Sequence, residues 1–158
     1  MILAGGEALH ERVHNVINEV WTCGSAVSDW RNAEIVPIPK KGDLRSCDNW
    51  RGISLLDVVG KVFARVLQGR LQAVAEDVLP DSQCGFRRGR GCSDMVFTAR
   101  QLMEKAVEHD SELYVLFVDL RKAYDSIPRS ALWLVLRNLG IPPKLLGLVQ
   151  SLHEGMEA

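Results

Sequence analysis

The sequence predicts a mixed α/β (α+β) chain whose sheet is incomplete. Three observations carry that prediction. Several segments place apolar residues at helical spacing, whereas Leu113–Val118 is a short continuous apolar run of the kind a buried strand presents. No internal repeat is visible, and no second segment is as strong a strand as that one. At 158 residues the chain can bury one core, and a composition of 47% hydrophobic and 25% charged residues is globular rather than disordered.

The elements follow in order. Leu9, Val13, Val16, Ile17 and Val20 recur at helical spacing and predict an amphipathic helix within the first twenty residues. His10 and His14 stand four apart beside that stripe but lack the carboxylate partner of a HExxH metal site, so they read as flanking residues. After Trp30, the residues Ile35, Val36 and Ile38 predict a short strand. Pro37 and Pro39 confine it to an edge, and Lys41-Gly42-Asp43 turns the chain. A second helix is expected after Ser54, with Val59, Val62, Phe63, Val66, Leu67 and Val74 on one stripe; Gly60 and Gly69 disfavour a helix without breaking the period, and Pro80 bounds it.

A glycine- and arginine-rich loop, QCGFRRGRGCSD, comes next. Ser93 is the candidate N-cap of a third helix carrying Met95, Ala99, Leu102, Met103 and Ala106, with Asp94 favourable in its first turn. Leu113–Val118 is then expected as a buried, central strand. Leu132, Val135, Leu136 and Leu139 predict a helix ended by Gly140. Pro142-Pro143 opens a last segment with Leu145, Leu146 and Val149, for which the sequence offers nothing further along to pack against.

Composition excludes some functions. A formal net charge of −1 argues against a wholly basic nucleic-acid wrapper but not against a local basic groove. Cys23, Cys47, Cys84 and Cys92 show no CxxC spacing and read as reduced cysteines of an intracellular protein rather than zinc ligands. No apolar run reaches membrane-spanning length, and Glu7 and Glu11 stand where a basic leader would be, so the expected place of action is the nucleus or cytoplasm.

Candidate chemistry centres on FVDLRKAYDSIP. Asp119 at the end of the apolar run is either a metal ligand held beside phosphates or an ordinary aspartate starting a turn. Asp125 reads as a cap of the Arg129–Leu139 helix. Tyr124 is either a core aromatic or the wall of a sugar pocket. Lys40, Lys41, Arg45 and Arg51 can neutralise phosphates, but Asp43 and Asp48 interleave with them as on a solvated face. Arg87, Arg88 and Arg90 with Phe86 for stacking make the stronger nucleic-acid signal.

Read in order, AGGEALHERVHNVINEVW, WRNAEIVPIPKKGDLRSCDNWRGISLL, QCGFRRGRGCSD, LYVLFVDLRKAYDSIPRSALW and LGIPPKLLGLVQSLHEGM resemble the reverse transcriptases of non-LTR, LINE-like retrotransposons over almost the whole chain. The resemblance implies a partial right-hand polymerase fold. It divides the chain into a helical lead-in (1–30), a fingers-like region (31–110) and an incomplete palm (111–158) with its first strand and helix. It implies that Asp119 is the first of three metal-binding aspartates. It places Lys40 or Lys41 and Arg51 at the incoming triphosphate and the backbone of Lys122 and Ala123 near the triphosphate tail. Tyr124 would lie beneath the deoxyribose, where it rejects a 2′-hydroxyl. Gln83, Gly85, Phe86 and Arg87 would belong to a second finger block that positions template and palm. The implied partners are an RNA template, a DNA primer and dNTP, and the implied cofactor is Mg²⁺.

The chain departs from that family by carrying no Y/F-x-D-D turn. One aspartate cannot hold the metal pair that two-metal nucleotidyl transfer requires, so the chain is expected to be inactive by itself. The strands that would flank Leu113–Val118 are also missing, which predicts exposed apolar surface, open sheet edges and non-specific self-association. The alternative reading is a non-catalytic nucleic-acid-binding or protein-interaction remnant of a retroelement.

Overall fold

Phe63 and Leu148, each 0% exposed, lie at the centre of the core. The computed structural model describes residues 5–120 and 122–156. Its elements are α1 (Gly6–Cys23), a 3₁₀ turn (Ser28–Arg31), β1 (Ala33–Pro39), a second 3₁₀ turn (Cys47–Asn49), β2 (Trp50–Leu56), α2 (Val58–Glu76), α3 (Cys92–Glu108), α4 (Ala123–Ser126), α5 (Arg129–Asn138) and α6 (Pro143–His153). The mixed α/β class with a partial sheet is therefore the observed one.

Helical periodicity gives the core. Val20 of α1, Trp30 of the first 3₁₀ turn, Phe63 and Leu67 of α2, and Leu145, Leu146 and Leu148 of α6 form one buried cluster with Ala26 and Ile141. Trp30 and Phe63 pack with ring centroids 5.4 Å apart. Gly60 makes that contact possible: a Cβ there would stand 3.0 Å from Trp30 Cγ. Gly69, on the same helix, has nothing within 4 Å of the equivalent position.

Ser151 is buried on α6 and fully used. Its Oγ accepts from the Ala26 backbone N–H at 3.0 Å and donates to the Leu148 carbonyl at 2.9 Å. Arg31 then donates to the Ala26 carbonyl, so both backbone groups of that residue are satisfied where they are buried. At the surface, the Arg70 guanidinium stacks 3.9 Å from the Trp21 ring centroid.

The final helix thus corrects an expectation. α6 does not lack a partner: it folds back onto α2 and the first 3₁₀ turn, which lie earlier in the chain, and supplies three of the core leucines. The sequence shows its apolar residues but not the long-range return that buries them.

β1 and β2 pair antiparallel, with Val36 opposite Ile53 and Ile38 opposite Arg51. The edge placement of β1 follows from Pro37 and Pro39, which cannot donate to a ladder. β2 was not foreseen, and α2 starts at Val58 rather than directly after Ser54. The reason is local: Asp57 accepts from the N–H groups of Val59 and Gly60 at 2.8 and 2.9 Å, so the cap fixes the helix start and leaves the preceding residues extended.

One cap assignment is also revised. The N-cap of α3 is Gly91, whose N–H donates to Asp94 Oδ2 at 2.7 Å, and Ser93 lies within the first turn. The N-cap position of α5 falls on Pro128, and the side chain of Asp125, expected to cap that helix, lies outside the described residues.

The largest correction concerns Leu113–Val118. The segment is neither buried nor a strand: residues 111–120 have no regular secondary structure, and Phe117 is 87% exposed. An apolar run can become a strand only when neighbours accept its backbone groups, and the described residues supply none. The expected exposed apolar surface is present, running from Leu113 through Leu120.

Candidate nucleic-acid and nucleotide interface

The β1–β2 hairpin carries the first basic group. Its connecting loop is built by its own polar residues: the Lys40 N–H donates to the Asn49 carbonyl at 2.7 Å, Asn49 Nδ2 to the Asp43 carbonyl, and Trp50 Nε1 to the Leu44 carbonyl. Lys40 Nζ donates to the Asp48 carbonyl at 3.0 Å. Arg45 pairs with Asp43, whose carboxyl it holds below the ordinary carboxylate range. Lys41 and Arg51 are exposed, and no ion pair is formed by either among the described residues. The hairpin therefore presents cations on a framework that satisfies its own turn.

The Asp119 region is a corner. Asp119 is exposed and lies near the end of the irregular segment, next to Leu120. Lys122 adopts a left-handed backbone (φ 49°) as the N-cap residue of α4, which begins at Ala123. A non-glycine residue in that region is uncommon, so the corner is held in an unusual conformation. Tyr124 is 80% exposed, which excludes the core-aromatic reading for the described fold. Among the described residues no group of three or more histidine, cysteine, aspartate or glutamate side chains could hold a metal ion. Asp119 offers one carboxylate, and the residues present do not by themselves fit the Mg²⁺ pair that the sequence resemblance implies.

The glycine- and arginine-rich loop separates its three arginines into different roles. The Arg87 side chain is only 7% exposed. Its Nη2 and Nε donate to Glu76 Oε2 at 2.8 and 3.1 Å, and its Nη1 donates to the Pro80 carbonyl at 2.8 Å. This fork ties the loop to the end of α2, and the Arg87 hydrogen bond holds the Glu76 carboxyl below its ordinary value. Arg90 donates to both the carbonyl and the carboxylate of Asp81, and its own pKa is raised by that contact. Arg88 is exposed and makes no ion pair among the described residues. Gln83 Nε2 donates to the Gly85 carbonyl within the same turn. Phe86 is 90% exposed and has φ 58°.

Sequence reasoning singled out this loop but missed its counterpart on α2. Arg65, Gln68, Gly69, Gln72 and Glu76 line a groove of about 930 Å³ that the loop closes with Phe86, Arg87 and Arg88. The signal was available: those helical residues fall three or four apart along the polar face, opposite the apolar stripe. Glu76 and Asp81 were equally legible only once their partners were known, because a surface carboxylate carries no mark of which arginine it anchors.

The chain has relatives among mobile-element proteins. It is 31% identical over 144 residues to the transposon TX1 uncharacterized 149 kDa protein of Xenopus laevis, covering 91% of this chain and 11% of the relative. It is 31% identical over 158 residues to the putative 115 kDa protein in the type-1 retrotransposable element R1DM of Drosophila melanogaster, covering 96% and 14%. To the RNA-directed DNA polymerase from mobile element jockey of the same organism it is 29% identical over 143 residues, covering 88% and 15%. The chain thus spans between 11% and 15% of the length of these relatives. Residues 38–156, from the end of β1 through α6, match the reverse transcriptase (RNA-dependent DNA polymerase) family, and the chain belongs to it.

Proposed function

We propose that this chain forms part of an RNA-directed DNA polymerase of a non-LTR retrotransposon, with residues 31–110 as its fingers-like region, 111–158 as the opening of its palm and 1–30 as a helical lead-in. The observation that carries this reading is the family match across residues 38–156, which takes in the basic hairpin, the arginine loop and the Asp119 corner in order. The substrates are dNTP, an RNA template and a DNA primer, and the site of action is the nucleus or cytoplasm.

In this reading Lys40, Lys41 and Arg51 attract and orient the triphosphate from the hairpin, where none of them pairs with a carboxylate among the described residues. The backbone N–H groups at Lys122 and Ala123, at the start of α4, face the triphosphate tail. Tyr124 lies under the sugar and selects deoxyribose by exclusion, because an added hydroxyl meets the ring. Asp119 contributes one carboxylate to Mg²⁺, a cation that suits oxygen ligands. The further ligands have to come from other parts of the polymerase. Gln83, Phe86, Arg88 and Arg90 meet nucleic acid, while Arg87 holds their loop in place.

The test is primer extension on an RNA template by the natural product isolated from its own cells, compared with the same product carrying Asp119→Asn. Extension that the substitution abolishes, with unchanged thermal unfolding, is the expected result. Retained extension removes Asp119 from the metal site, and absence of extension by the unsubstituted product removes the polymerase reading.

A further inference from the structure

Only part of the apolar stripe of α1 is covered by the core. Val20 is buried there, with Ile17 and Trp21 packed against it. Earlier on the helix, Leu9, Val13 and Val16 instead line one side of an open groove of about 330 Å³. Its other side is built by Val27 and Trp30 at the first 3₁₀ turn and by Val59 of α2. Val16 and Val27 keep more than a third of their surface in water. Three charges line the same groove, Arg12 on the α1 side and Asp29 and Asp57 on the other. All three are exposed, and none forms an ion pair among the described residues. Asp29 Oδ1 accepts from Ser28 Oγ at 3.2 Å, and Asp57 uses Oδ1 to cap α2.

We infer that this groove is a contact surface between two copies of the chain, related by a two-fold axis, with their α1 helices antiparallel. Leu9, Arg12, Val13 and Val16 fall at i, i+3, i+4 and i+7, so they share one face of α1. An antiparallel pair centred between Arg12 and Val13 sets Leu9 of one copy against Val16 of the other. The stripe that a single chain leaves in water is then covered. Charge selects this occupant. A two-fold interface has to be self-complementary, and the groove carries one sign on each side. Arg12 of each copy enters beside the aspartates of the other, and the symmetry forms that contact twice. A partner of one sign would leave either Arg12 or the aspartates opposed. The shared stripe is two helical turns long, so the association is weak and reversible. It does not rest on the polymerase reading, since α1 precedes the residues that match that family.

The experiment is sedimentation of the 158-residue chain from micromolar to near-millimolar concentration, with charge reversals on either side of the groove. The unsubstituted chain is expected to pass from monomer to dimer over that range. Arg12→Glu and Asp29→Arg should each weaken dimerisation by roughly tenfold or more, because each sets like charges together twice. Mixed in equal amounts, the two variants should recover the dimer, since every contact between them again joins opposite signs. Asp57 is left intact because it caps α2. Both substituted side chains are exposed, and circular dichroism checks that the variants keep their helix content. Phe117→Ser separates this contact from association through the exposed residues 113–120, and it should leave the dimer unchanged. Three results overturn the inference: a monomer at every concentration, a dimer indifferent to positions 12 and 29, or no recovery in the mixture. A dimer that Phe117→Ser abolishes overturns it as well. Primer extension by the natural product is read separately, so the two readings fall independently.

Discussion

α6 and residues 113–120 are both rich in large apolar residues, and they end in opposite environments. The α6 leucines are buried against α2, whereas Leu116, Phe117 and Val118 stand in water. The difference lies in the backbone. A helix satisfies its own N–H and C=O groups and needs only a surface to cover its apolar stripe, which the Phe63 face of α2 provides. A strand needs neighbours for its backbone before its side chains can be buried, and none is offered among the described residues. Apolar content therefore predicts where surface is to be covered, and hydrogen-bonding demand decides whether this chain can cover it.

The contrast is sharpest between two phenylalanines. Phe63→Ala should destabilise the chain by about 3–5 kcal/mol in urea unfolding, as removal of a fully buried aromatic does. Phe117→Ala should stay within about 0.5 kcal/mol, because little of that ring leaves water on folding. Equal losses would show that residues 113–120 are packed.

A smaller effect tests why α2 begins where it does. Asp57→Ala removes the acceptor for the Val59 and Gly60 N–H groups and should cost about 1 kcal/mol. Asp57→Asn retains an oxygen acceptor and should recover most of that loss. The two glycines of α2 should respond in opposite directions. Gly69→Ala should raise stability by about 0.8–1.0 kcal/mol, the helix-propensity difference, because the added methyl enters open space. Gly60→Ala drives a Cβ against Trp30 and should lower stability instead. Thermal unfolding of both variants reads the sign directly.

The smallest expected effect is pH-dependent. Arg87 depresses the Glu76 carboxyl below its ordinary value of 4.5, so the pair stabilises the fold above that pH. Its contribution is lost as pH falls through the lower folded-state value. The thermal midpoints of wild type and Glu76→Gln should therefore differ at neutral pH and converge as pH falls below 4.5. A difference that stays constant across that range would show that Glu76 acts without its charge.

The helices were legible because their stripes are local: Val59, Val62, Phe63, Val66 and Leu67 state a period within three turns. The helix starts were less so, since Asp57 and Gly91 cap through geometry that spacing alone does not reveal. β2 escaped because Arg51 and Gly52 interrupt its apolar alternation, and only the partner strand makes it a strand. The return of α6 onto α2 is a tertiary event with no local mark. At the candidate site, sequence order singled out the residues from Lys40 to Arg51, Asp119 and the arginine loop. It could not show that Arg87 serves the fold while Arg88 makes no ion pair among the described residues, because that division depends on where Glu76 stands. Nor could it place the polar face of α2 opposite Phe86.

Hydrogen–deuterium exchange on the 158-residue chain tests the central contrast most directly. The account predicts slow exchange for amides in α2 and α6, and exchange near the unprotected rate for residues 113–120. Protection of residues 113–120 comparable to that of α2 would contradict it, because those backbone groups would then have partners that the fold described here does not give them.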